Sequence, residues 1–280
     1  MHDVDGCLFL YKDFLFSGSQ IARFQFHFLV MLVRKNTRHQ RYLHPDANSV
    51  GVEYFFSPTS QESEIETLLS ESLKRENLYI GIGIHPHHAS ELRPQTKANL
   101  LSQTNSKIRA IGEIGLDYFR NFQSPDVQQK CFQEHLDIAV DMNLPVFLHH
   151  REAFSDFEPI VKPYLNKLPQ SIVHCFTGTK DDLKAFLDLG LYIGITGWIN
   201  DPVRGQDVKE LVKFIPDDRL LIETDAPYLL PKNMTHKPKN RRNEPKFLVE
   251  VLKEISAVRN QSLESLADIT TTNFKSLFKC

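Results

Sequence analysis

Ile108-Arg109-Ala110-Ile111-Gly112-Glu113-Ile114 is a short apolar run that carries a carboxylate near its end. Three later runs have the same form: Val146-Phe147-Leu148 leads to His149, Ile172-Val173 to His174, and Leu220-Leu221-Ile222 to Asp225. The four residues able to bind a metal are 36, 25 and 51 positions apart, room in each interval for a helix and a loop. Strand, crossover helix, strand is the unit of a parallel sheet, whose strand ends gather at one edge. Two carboxylates and two imidazoles meeting there would form a hydrolytic metal site.

The alternation extends in both directions from these runs. Strands are predicted over 50–56, 79–84, 108–114, 146–149, 171–175, 191–195 and 219–223. A polar helix is predicted over 61–75, and a second helical stretch ends at Leu101. The clearest helix has Ser124 as N-cap and Pro125 at its first position, where a missing N–H does no harm. Its Val127, Cys131, Ile138 and Met142 recur at helical spacing until Asn143-Leu144-Pro145 stops it. Further helices are predicted over 181–189, with Gly190 as the stop, and over 207–214, 245–258 and 263–277. Strand–helix units with functional residues at strand C-termini predict an α/β fold, a TIM (β/α)8 barrel rather than an open sheet. The eighth strand then falls in an atypical first βα unit. Residues 1–48 form an N-terminal segment, and residues 49–280 the barrel.

The 280 residues suit one such barrel, and 41% hydrophobic with 24% charged residues supplies an ordinary core. A net charge of −2 leaves any anionic substrate to a local basic patch. Cys7, Cys131, Cys175 and Cys280 are widely spaced with no C-x-x-C pair, which fits reduced thiols. Cys175 as a nucleophile is disfavoured, because strand alternation turns it away from His174. The longest apolar stretch, 24–33, is too short to cross a bilayer and contains Gln25 and His27. Asp3, Asp5 and Asp13 precede it and no small-residue cleavage site follows, unlike a signal peptide. A cytoplasmic protein with no membrane partner is expected, acting as a monomer.

Each candidate has a plainer reading beside the chemical one. Glu113, flanked by Gly112 and Gly115, is placed to bridge cations, or to bond loop amides. Of His149 and His150, alternation sends one toward the barrel mouth and the other away. His149 continues the apolar run and is the ligand expected. Arg151 returns to the same face, where its fork of donors suits a phosphate oxygen, or pairs with Glu152. His174 is a ligand or a satisfied core histidine. Asp225 closes the last run, where a buried carboxylate needs a cation or a proton to manage. His85 and His87 have H-x-H spacing interrupted by Pro86, so His85 should line the site and His87 or His88 belong to a loop. Lys232, Lys237, Lys239, Arg241, Arg242 and Lys246 face the single acid Glu244 over 232–246. Such a run is a solvated face, or a set of phosphate contacts that hold a nucleic-acid backbone.

Taken together, GIGIHPH (81–87), AIGEIGLDY (110–118), LPVFLHHREA (144–153), VHCFTGT (173–179), YIGITGWI (192–199), LLIETDAPYLLP (220–231) and RRNEP (241–245) resemble the TatD family of metal-dependent deoxyribonucleases. That family lies within the amidohydrolase-like TIM barrels, and the motifs run in its order over roughly residues 50–280. The resemblance implies divalent metal at the C-terminal face, usually magnesium, with manganese and zinc also compatible with the donors. It implies Glu113, His149, His174 and Asp225 as metal residues and catalytic roles for Asp225, Glu113 and His85. Arg151, Arg241 and Arg242 would contact substrate phosphates. The implied activity is hydrolysis of phosphodiesters, as a 3′-5′ exonuclease on single-stranded DNA, with RNA a further substrate. Hydrolysis of another ester such as an aminoacyl-tRNA, or nucleic-acid binding without full catalysis, are the competing expectations.

Residues 1–48 depart from this family. Neither H-x-H nor a strand resembling DIGVNL occurs there, and the corresponding slot reads FQFHFLV over 24–30. Asp5, His27 and His44 are the conceivable substitutes. A diverged first unit, an error in the gene's start or reading frame, and a protein that has lost catalysis while keeping binding each account for the segment, and the second is favoured by the unfamiliar aromatic run at 24–28 and RKNTRHQR at 34–41.

Overall fold

Alternation of apolar residues along each short run gives this chain a curled layer of strands with one apolar face inside and helices against the other. The computed structural model describes residues 29–32, 47, 48 and 50–280. In chain order the strands are β1 (Leu29–Leu32), β2 (Val52–Pro58), β3 (Leu78–Ile82), β4 (Ile108–Asp117), β5 (Val146–Arg151), β6 (Ile172–Val173), β7 (Tyr192–Ile195) and β8 (Leu220–Ile222). They form one sheet in that same order. From β2 to β8 every neighbouring pair is parallel, giving a curled sheet of the TIM-like type expected. β1 instead pairs antiparallel with β2, Leu29 opposite Phe56. The atypical first unit thus contributes a strand, but one running the other way. Asp5, His27 and His44 lie outside the described residues.

Helices α1 (Ile65–Leu73), α2 (Thr96–Leu101), α3 (Pro125–Met142), α4 (Phe154–Leu165), α5 (Lys180–Asp188), α6 (Gln206–Leu211), α7 (Leu248–Arg259) and α8 (Leu263–Phe278) fill the connections and the C-terminus. Ser124 is the N-cap of α3 with extended dihedrals, and Asn143 ends that helix in the left-handed region at φ 51°. Gly190, at φ 76°, follows α5 as the stop expected of it. α4 is the helix that the residue pattern does not predict, because Pro159 and Pro163 lie inside it. Each proline removes a backbone donor, yet Phe157 and Val161 are fully buried one turn apart, and that tertiary burial outweighs the local defect. Among the described residues no helix is long and apolar enough to cross a membrane.

Two apolar layers follow from strand alternation. Phe55, Ile80, Ile82, Leu148, Val173, Ile193 and Leu220 point outward into the main core beneath the helices. Phe56, Ala110, Phe147, Ile172, Tyr192 and Leu221 point inward and meet Phe274, Leu277 and Phe278 of α8. Phe56 stacks on Phe278 at 4.2 Å between ring centroids and tilts against Phe147 at 5.1 Å. Each such side chain, fully buried, contributes about 1.5–3 kcal/mol. α8 therefore plugs the N-terminal end of the barrel and leaves the C-terminal end for chemistry.

Candidate metal centre

The inward rows that begin with Phe147, Ile172 and Leu221 continue two residues later to His149, His174 and Glu223. Period-two geometry thus delivers two imidazoles and a carboxylate just above the apolar plug, and the Phe147 and His174 rings stack at 4.8 Å. The neighbours of the first pair face the other way, as expected. His150 packs among Phe154, Phe157 and Phe186, and burial there pushes its pKa down to about 4.

β4 needs a device to place its acid on this face. Ala110 points inward and Ile111 outward, so strict alternation would send residue 113 outward. The register shifts between Ile111 and Ile114, opposite Val146 and Leu148: three steps on β4 answer two on β5. A bulge of this kind reverses facing, and Glu113 turns inward while Ile114 joins the outer core. Gly112 (φ 151°) and Gly115 (φ 142°) hold dihedrals that L side chains rarely adopt. A Cβ on Gly112 would stand 2.7 Å from Phe147 Cβ, and one on Gly115 would strike the His149 carbonyl.

Glu113 Oε1 becomes the hub of the site. His174 Nε2 lies 2.6 Å away, His149 Nδ1 2.8 Å and His85 Nε2 3.2 Å. Glu113 and His174 are buried and His149 nearly so. Farther along β4, Asp117 Oδ2 lies 2.7 Å from His87 Nε2 and 3.2 Å from His149 Nε2. His85 accepts the His87 backbone N–H at Nδ1, 3.0 Å away, so its ring proton sits on Nε2, facing Glu113. On the other side of His174, Glu223 Oε2 stands 3.4 Å from Nδ1 and accepts the Cys175 N–H at 3.2 Å. Glu223 Oε1 is buried with no hydrogen-bond partner. A Cβ on Gly194 would collide with this carboxylate, so only glycine fits there.

The electrostatics follow from burial set against these contacts. Burial acts to raise the Glu113 carboxyl, but the His174 charge and bonds from His149 and His174 together hold it well below the usual range. Burial acts to lower His174, yet the Glu113 charge and bonds to Glu113 and Glu223 hold it well above its usual value. Burial lowers His85 to about 3 against the partial opposition of Glu113, which keeps it neutral. Asp117, opposed by burial, is nevertheless held below the carboxylate range by bonds to His149 and His87. Glu223 is raised, by burial first. Cys175 is pushed up to about 12 by burial and the nearby Asp225 charge, a thiol poorly suited to nucleophilic attack.

Two overlapping donor sets result, Glu113 with His149 and His174, and His85 with His87 and His149, the atoms of each within 4.8 Å of one another. Carboxylate oxygen with imidazole nitrogen, converging and mostly buried, is a donor chemistry that fits a divalent cation. Asp225 is not in either set. It stands half-buried at φ 54° past the end of β8, near enough for its charge to raise Cys175 and Glu223. Arg151 makes no ion pair with Glu152 or any other described carboxylate. Its guanidinium lies over the Phe119 ring at 3.9 Å. Lys232 pairs with Asp201 and Lys246 with Glu244, whereas Arg241 and Arg242 are exposed. Asn243 ties their segment to the end of β8, donating to Thr224 O at 2.7 Å and Tyr228 O at 2.6 Å.

Sequence reasoning did not assign Asp117, His87 or Asn243 to the site. His88, expected in a loop, lies in the same 3-10 turn as His87 and is bonded to Gln61. Asp117 had a usable signal, since it shares the face of Glu113 four residues earlier. Pro86 pointed away from His87, but it opens a 3-10 turn (Pro86–Glu91) that carries His87 back over the site.

The family model described as TatD related DNase matches residues 30–279. The curated "3′-5′ ssDNA/RNA exonuclease TatD" of Rahnella sp. (strain Y9602) is 48% identical over 197 residues, covering 70% of this chain and 75% of that one. The crystal structure of a TatD homologue from Escherichia coli K12 superposes with a TM-score of 0.77 at 27% identity, over 84% of this chain and 90% of the other. A TatD family hydrolase from Entamoeba histolytica gives 0.75 at 26% identity, over 83% and 87%.

Proposed function

The chain belongs to the family of TatD-related DNases, and on that premise we propose that it is a metal-dependent 3′-5′ exonuclease of single-stranded DNA and RNA. The observation that carries the reading is Glu113 Oε1, with nitrogens of three imidazoles within 3.2 Å of it. A carboxylate so placed, in a chain whose relative is named for cleaving single strands from the 3′ end, supports hydrolysis at that point.

Glu113, His149 and His174 would hold the divalent ion, magnesium in our reading, with Asp225 contributing from the end of β8. When bound, the ion lowers the pKa of a water and polarises the phosphodiester. Asp225 takes the proton of the attacking water. His85, neutral and with its proton on Nε2, orients the Glu113 carboxylate. Asp117 orients His149 and His87 in the same way, and Glu223 orients His174 through Nδ1, as carboxylates behind ligand imidazoles do. Arg151, Arg241 and Arg242 hold phosphates of the strand.

The test is incubation of purified protein with single-stranded DNA and RNA, labelled at the 5′ or the 3′ end, in magnesium, manganese or EDTA. Stepwise shortening of 5′-labelled strands in magnesium, and none in EDTA, is the expected result. Intact strands in every metal would overturn the proposal.

A further inference from the structure

The loop that leaves β4 exposes two phenylalanines within four residues, Phe119 at 45% and Phe122 at 59%. Single exposed apolar residues are ordinary. These two differ because the loop presenting them is tied down at both ends. Asp117 Oδ1 accepts the Arg120 N–H at 2.7 Å. The buried Gln128 side chain accepts the Asp117 N–H at 2.8 Å and donates to Asp117 O at 3.1 Å and Gln123 O at 2.7 Å. Gln123 in turn donates to His87 O at 3.1 Å. A loop this well bonded holds its aromatic rings in water by construction.

Phe122 is coupled to the metal centre through other rings. Phe122 meets His87 edge-to-face at 4.8 Å, His87 meets His85 at 4.2 Å, and His85 meets His149 at 4.6 Å. A ladder of rings therefore runs from the buried cluster to the surface and ends at Phe122. Phe119 is backed by the Arg151 guanidinium at 3.9 Å, a contact that fixes the ring and leaves a cation beside it. An aromatic surface with a cation alongside is how proteins hold unpaired bases next to a phosphate backbone, without reading sequence.

We infer that Phe119 and Phe122 form a base-stacking platform that seats unpaired nucleobases of the strand beside the metal centre. This rests on the nuclease reading above and deepens it, since stacking requires bases freed from a duplex. The selectivity for single strands then resides in the β4–α3 loop rather than in the metal ligands.

The experiment compares oligodeoxynucleotides that are intact or carry abasic residues at their 3′ end, using wild type, Phe119→Ala, Phe122→Ala, Phe122→Trp and Phe122→Leu. Wild type should favour the intact strand in kcat/KM by about 10- to 100-fold, the range of one or two stacking contacts. The effect should fall mainly on KM. Phe122→Ala and Phe122→Leu should lose most of that preference, and Phe122→Trp should keep it, which a merely structural role for residue 122 would not produce. The same comparison is made for binding, by fluorescence anisotropy in EDTA. A base preference in binding that vanishes in Phe122→Ala sustains the platform even if no strand is cleaved, a result that would sink the nuclease reading alone. Equal intact-to-abasic ratios in wild type and the alanine variants overturn the platform.

Discussion

His149 stands between two carboxylates of one strand, with Nδ1 2.8 Å from Glu113 Oε1 and Nε2 3.2 Å from Asp117 Oδ2. Residues 113 and 117 share a face of β4, so a single imidazole reaches both. Asp117 also holds His87. Asp117→Asn keeps the shape and removes the charge that both rings face. Metal affinity measured by titration calorimetry should fall by about 10- to 100-fold, the usual loss when a carboxylate behind a ligand histidine is removed. Unchanged affinity and rate would exclude the orienting role.

Asp225 lies outside the tight donor sets, so its loss should be felt in turnover more than in folding. Asp225→Asn is expected to abolish strand cleavage while the thermal unfolding midpoint stays within a few degrees of wild type. Full activity in that variant would remove Asp225 from the mechanism.

Gly194 and Glu223 offer a test of packing at the base of the site. In Gly194→Ala the new methyl meets the buried Glu223 carboxylate, and overpacking of this kind costs about 1–3 kcal/mol. Urea unfolding should show it. Combining it with Glu223→Ala should relieve most of the penalty, because two side chains in direct collision do not contribute independently. Additive losses in the double variant would contradict the contact.

His135 sets an acid limit on stability. It is fully buried, accepts the Ile84 N–H at Nε2 (3.2 Å) and donates from Nδ1 to Cys131 O (2.8 Å). Burial lowers its pKa from 6.5 to about 4. The unfolded chain therefore takes up this proton first as the pH falls. The associated stability is complete above pH 6.5 and drains away toward pH 4, by at most about 3 kcal/mol. Urea midpoints of wild type and His135→Gln, measured from pH 7.5 to 4.5, should converge as the pH falls. Parallel curves would show that His135 does not titrate in this way.

The candidate ligands that continue an unbroken alternation were legible from the chain itself. His149 and His174 extend the inward rows of Phe147 and Ile172, and His150 was separable from His149 on the same ground. Glu113 was found as a residue type at a strand end, but its facing depends on a bulge that leaves no signature beyond Gly112. Asp117 was missed because β4 runs on past the bulge, three residues beyond the end predicted for it. α4 was hidden by Pro159 and Pro163, whose local cost is met by burial that only the folded chain supplies. Antiparallel β1 had no readable direction, since alternation is the same whichever way a strand runs.

The α8 plug at the base of the barrel bears on how a polymer can be processed. Among the described residues, Phe274 and Phe278 pack against Phe56 below the cluster that holds Glu113. On the proposed function, a polymer reaching Glu113 from the C-terminal side meets packed rings beyond it and has to return the way it came. A free strand end is the part of a polymer that such a dead end admits.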